Sequence, residues 1–228
     1  MKFPTKPNRR ETLWGGIYLI LYISVLPLAV PMAVRWLFPQ ADAPQINFVY
    51  FCLNFTATVV IFRKYLLQSQ KDARKASGPI LRYALLGYFG NILLGGIVST
   101  AILRFYPEFT SVNDNAIDTM VQQNQLLMAI GTVVLAPVAE ELLFRGLIFR
   151  GLYDRSPLAA QGLSIVLFSL IHISGYVGMY DGKLLFLCFL QYLVPAYCLN
   201  FAYRYSGNIA APILMHMLTN LAAFSATR

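Results

Sequence analysis

The stretch Ala136-Pro-Val-Ala-Glu-Glu-Leu-Leu-Phe-Arg145 sets two adjacent carboxylates and a guanidinium inside an otherwise apolar run. Residues four apart on a helix share a face, so Glu141 and Arg145 can pair. Glu140 lies about 100° away from Glu141 around the same helix and points elsewhere. An ion pair uses only Glu141 and Arg145; Glu140 is the surplus carboxylate that asks for a function. The only two histidines, His172 in FSLIH and His216 in HMLTN, also fall in apolar runs. Phe168 and His172 share one helix face, as do His216 and Asn220. Read singly, each group has a plain role: a packing histidine, helix-pairing glue, a hydrogen-bonding asparagine or a proton relay. Their combination matters more, because these two acids, two histidines and one arginine are the ionisable groups well inside the apolar runs.

The elements that must carry them are membrane helices. Of 228 residues, 57% are hydrophobic and 12% charged, about half the charge of ordinary soluble domains. Apolar runs recur along nearly the whole chain, and about 20 such residues cross a bilayer. The expected fold is all-α, a polytopic bundle of seven spans near 13–38, 46–66, 79–103, 122–152, 158–175, 183–204 and 209–226. Residues 1–228 are read as one membrane domain, with N-terminal spans in 1–116 and a core in 117–228. Pro27 and Pro31 predict a kink in the first span. Gly87, Gly90, Gly95 and Gly96 predict close helix approach in the third. The polar string at 122–125 is expected at the interface, and the loop at 176–182, with two glycines, is a candidate for mobility. Pro137 leaves the carbonyl of Val133 without its α-helical amide.

The net charge of +8 resides in short loops, which speaks for membrane orientation and against nucleic acid. Thirteen Lys and Arg fall on the side of the N-terminus, among them Lys2, Arg63, Lys71, Arg74 and Arg155. Four fall opposite: Arg35, Arg104, Lys183 and Arg228. This asymmetry predicts a cytoplasmic N-terminus and an external C-terminus. The cysteines, Cys52, Cys188 and Cys198, lack ligand-type spacing and read as small buried hydrophobes. The basic start runs into an apolar stretch too long for a signal peptide, and it is kept as the first span.

EELLFR (140–145), FSLIH (168–172) and HMLTN (216–220) fit the motifs EExxxR, FxxxH and HxxxN, in that order on separate spans. The chain therefore resembles the CPBP family of intramembrane proteases, which comprises CAAX-processing enzymes and bacterial relatives linked to bacteriocin processing or immunity. The matching region is about 137–221. The resemblance implies Glu140 as general base on a water that His172 helps to position. It implies His216 and Asn220 as donors to the oxyanion. Glu141 and Arg145 would hold the helix in register, and Phe168 would restrict His172. The implied substrate is a membrane-associated peptide or lipidated protein, in a bacterial or archaeal cell membrane. No cofactor is certain: one carboxylate and two histidines could hold zinc, but neither histidine has an evident supporting carboxylate unless Glu141 leaves Arg145. The reading leans toward glutamate-based water activation. A non-catalytic immunity or scaffold protein, and a proton-coupled transporter, are the rival classes.

Overall fold

The structure is a computed structural model describing residues 3–75 and 77–226. Lys2 and Arg228 of the charge count lie outside the described residues. Among the described residues the fold is an all-α bundle of ten helices: α1 (Arg9–Ser24), α2 (Leu26–Leu37), α3 (Ala43–Ile61), α4 (Arg63–Lys75) and α5 (Ser77–Phe105) make the first half. The second half holds α6 (Val112–Gln123), α7 (Gln125–Tyr153), α8 (Pro157–Ser174), α9 (Gly182–Ser206) and α10 (Ala210–Ala226).

Helices α3, α5, α7, α8 and α9 are long and apolar enough to cross a bilayer. The expected first span is broken: α1 and α2 meet at a 68° bend, with Pro27 in the first turn of α2, where its missing N–H costs nothing. Of the two candidate prolines, Pro27 marks the bend and Pro31 sits inside the second piece. The expected seventh span is a 17-residue helix, shorter than the about 20 residues a span needs. Sequence reading also missed α6, which falls in what was read as a polar loop. Ser111 caps it by accepting from the Asp114 amide at 3.4 Å. The polar string 122–125 turns out to be the junction of α6 and α7, where Asn124 leaves helical geometry and accepts from the Leu127 amide at 3.1 Å.

α7 is the centre of the bundle. Residues 141–150 are all buried, as befits a helix surrounded on every side. Phe144, Phe149, Leu142 and Leu143 pack there with Phe168 of α8 and Tyr203 of α9. Lipid offers no hydrophobic drive between helices, so close approach and polar contacts hold such bundles. Gly87 shows the former: a Cβ on it would lie 2.6 Å from Met215 Sδ and 3.3 Å from the Cys198 carbonyl. Gly90 is in ordinary contact with Cys198, whereas Gly95 and Gly96 meet nothing within 4 Å, so only part of the expected glycine face seats a helix. Ser164 shows the latter, donating to the carbonyl of Phe144 and to Asn200 Oδ1, both at 3.0 Å.

One face of the bundle is stitched together by polar contacts. Arg150 donates to the Thr5 carbonyl at 3.1 Å, Lys6 lies 3.8 Å from Asp154, and Ser69 donates to Asn208 at 2.9 Å. The N-terminal segment, α4, the α7–α8 turn and the α9–α10 turn therefore share this base-rich face. α6, the α2–α3 turn and the 175–181 loop lie at the other end of the spans.

Candidate functional site

α7 departs from regular α-helix on both sides of the glutamates. Ala129–Leu135 and Leu142–Phe149 are π-helical, and only Ala136–Glu141 between them is α-helical. π-turns inside helices gather at functional sites. The α-helical turn keeps Glu140 and Glu141 on different faces. Glu141 faces the protein interior, and Glu140 faces a cavity of about 670 Å3 lined also by His172, His216 and Asn220.

Glu141 and Arg145 are both fully buried. Arg145 spends its guanidinium on three partners, each at 3.0 Å: Glu141 Oε1, Asn200 Oδ1 and the carbonyl of Ala196. Its Cζ also stands 4.4 Å above the Phe168 ring, a cation–π contact strengthened by desolvation. The same Glu141 Oε1 lies 2.8 Å from His216 Nδ1. The choice posed by the sequence, Arg145 or a histidine, does not arise, because Glu141 serves both. A carboxylate oxygen accepts, so Nδ1 carries the proton, and Nε2 turns toward Glu140 Oε2 at 4.0 Å. Glu140 Oε1 is 3.5 Å from the hydroxyl of Tyr22, and its buried Oε2 has no hydrogen-bond partner.

His172 sits near the end of α8. Its Nδ1 is 2.8 Å from the Phe168 carbonyl. A carbonyl only accepts, so Nδ1–H donates and Nε2 keeps its lone pair. Two rings fix the imidazole: Phe168, with centroids 4.7 Å apart, and Tyr192, stacked at 4.2 Å and 23°. The Tyr192 hydroxyl donates to Asp114 Oδ1 at 2.5 Å and accepts from Asn113 Nδ2 at 2.9 Å. Phe168 also lies beside His216, with centroids 5.8 Å apart, so one ring contacts Arg145 and both imidazoles.

Asn220 Nδ2 donates to the carbonyl of Thr132 at 2.8 Å. The π register explains that target. The Ala136 amide reaches back five residues to Gly131, so in this register the carbonyl awaiting residue 137 is Thr132, not Val133. Pro137 has no N–H to give it. The orphan is one residue earlier than an α-helix implies, and a neighbouring helix satisfies it.

Glu140, Phe168, His172, His216 and Asn220 thus line one cavity, with Glu141 and Arg145 behind them. Sequence reading missed Tyr22, Tyr192, Asn113, Asp114 and Asn200. Asn200 left a signal as an amide within an apolar run; the aromatic residues left none. The cavity reaches from Glu140 to Ile46 and Asn47 on α3, Asp114 on α6 and Tyr176 beyond α8, toward the face away from the base-rich one. A zinc triad finds no support in this donor set: among the described residues no three His, Cys, Asp or Glu side chains converge to hold a metal.

Residues 122–222 match the family described as type II CAAX prenyl endopeptidase Rce1-like. The chain is 25% identical over 225 residues to the protein named "Putative membrane peptidase YdiL" of Bacillus subtilis (strain 168), spanning 92% of this chain and 87% of that one. No solved structure matches it. The matched stretch contains every motif quoted above together with both π-helical segments, and over it this integral membrane protein is similar to the Rce1-like family of type II CAAX prenyl endopeptidases.

Proposed function

We propose that the chain hydrolyses an internal peptide bond of a membrane-associated peptide, with Glu140 as general base. The observation that carries this reading is the buried, unpartnered Glu140 Oε2 facing a cavity that two histidines share. A water donating one hydrogen to Glu140 and the other to His172 Nε2 presents its lone pair to a scissile carbonyl. Glu140 takes the proton as the C–O bond forms, then returns it to the leaving amine. His216 Nε2, when it carries a proton, and the remaining N–H of Asn220 donate to the oxyanion, which matters most where water is scarce.

The reading further places the whole chain as one domain, its N-terminus in the cytoplasm and the cavity opening to the opposite face. That orientation rests on the skew of Lys and Arg between loops. The test is cleavage of hydrophobic peptides by the purified chain in lipid nanodiscs, followed by mass spectrometry. Cleavage by the parent and its loss in Glu140→Gln are expected. An equally active Glu140→Gln protein would remove Glu140 from the reaction.

A further inference from the structure

The chain carries eighteen Lys and Arg and a net charge of +8, yet among the described residues no Lys or Arg lines the cavity, where the charged side chains besides the histidines are Glu140, Asp114 and Asp118. Asp114 and Asp118 are one helical turn apart on α6, where like charges destabilise the helix that holds them. Neither forms an ion pair among the described residues. Burial, and after it the neighbouring Asp114, pushes the Asp118 carboxyl up.

An independent observation concerns hydrogen bonding. Gln191 Oε1 and Thr219 Oγ1, both on cavity-lining residues, are buried without a partner. Pro195 withholds the amide that would meet the Gln191 carbonyl in α9. Asn113 Nδ2 gives one N–H to Tyr192, and Asn47 Nδ2 gives one to the carbonyl of Ala43 at 3.1 Å. A buried acceptor such as Gln191 Oε1 costs free energy until something donates to it, so an occupant that brings donors and positive charge suits this wall.

We infer that the substrate is a cationic segment, with a Lys or Arg close to the bond that is cut, and not a peptide bound by its C-terminal carboxylate. The inference rests on the proposed protease reading and names its substrate class. A terminal carboxylate would meet three carboxylates on a wall that, among the described residues, has no Lys or Arg. An ammonium or guanidinium meets the two aspartates at the cavity mouth and the orphan acceptors deeper in.

The experiment uses the full chain in nanodiscs of zwitterionic lipid. The probes are fluorescent apolar peptides that differ at one position, Lys, Gln or Glu, each with a free or amidated C-terminus. Anisotropy reads binding and mass spectrometry reads cleavage. The Lys peptide is expected to bind about tenfold more tightly than the Glu peptide, amidation not to weaken binding, and the ratio to shrink at high salt. Asp118→Asn is expected to pull the Lys-to-Glu ratio toward one, and Asp118→Glu to retain it. Equal or better binding of Glu or carboxylate-ended peptides, or a ratio unmoved by Asp118→Asn, overturns the inference. Cleavage without charge preference sinks the inference and leaves the protease reading standing. Charge-selective binding with no cleavage of any peptide does the reverse.

Discussion

His216 Nδ1 lies 2.8 Å from Glu141 Oε1, the same oxygen that Arg145 holds at 3.0 Å. One buried carboxylate therefore fixes the ring of a cavity residue on α10 and the guanidinium at the core of α7. Its removal leaves two donors without an acceptor in a fully buried place. Breaking a buried pair in this way costs roughly 3–5 kcal/mol. Glu141→Ala is accordingly expected to lower both thermal stability and cleavage. Replacing Arg145 by Met in the same chain should recover part of the stability but not the activity, since His216 stays unanchored. A Glu141→Ala protein as stable as the parent would show that the shared oxygen carries no weight.

Glu140 has the opposite profile. It faces the cavity and holds just two long contacts, 3.5 Å to Tyr22 and 4.0 Å to His216 Nε2, so Glu140→Gln should melt close to the parent. Loss of a general base is expected to cost about a hundred- to ten-thousand-fold in kcat.

Pro137 ties backbone register to the site. Pro137→Ala supplies an amide that competes with Asn220 for the carbonyl of Thr132. Melting temperature should hold or rise, because alanine is the better helix residue. Cleavage should fall about tenfold, the equivalent of one misplaced hydrogen bond. Unchanged turnover in a more stable Pro137→Ala protein would separate the π register from the reaction.

Tyr192 positions His172 by stacking, and Asp114 and Asn113 hold its hydroxyl. Tyr192→Leu should lower kcat by about tenfold with a smaller effect on KM, given that aromatic pairs are worth about 0.5–1.5 kcal/mol. Tyr192→Phe, which keeps the ring, should fall between the two. Equal kcat for all three proteins would reduce Tyr192 to wall.

Metal removal tests the donor geometry directly. Glu140, His172 and His216 do not gather into a metal-holding group, and cleavage is expected to survive a strong chelator. Loss of activity that zinc restores would contradict the water-activation scheme.

The sequence reading reached the motif-bearing helices and the four cavity residues because charge in an apolar run is costly enough to be conspicuous. It placed the Glu141–Arg145 pair correctly, since that contact is local to one helix. It expected a kink in the first span from Pro27 and Pro31, and the 68° bend lies there; it did not find α6, whose Asn and Asp residues read as loop. It expected the orphan carbonyl at Val133, because nothing in Ala129–Leu135 distinguishes a π-turn from an α-turn by composition. Tyr22 and Tyr192 were illegible for another reason: fourteen tyrosines are spread along the chain, and only tertiary packing selects these two.

The two π-helical stretches flank the glutamates like slack in a cable. Each places an extra residue in a turn that an α-helix would close one position sooner. Deleting a single residue between Ala129 and Leu135 offers that segment a tighter coil, and therefore swings the following turn by about 100° relative to what precedes it. A chain shortened by one amino acid there could keep its hydrophobicity, its length class and every motif, and still turn Glu140 away from its water.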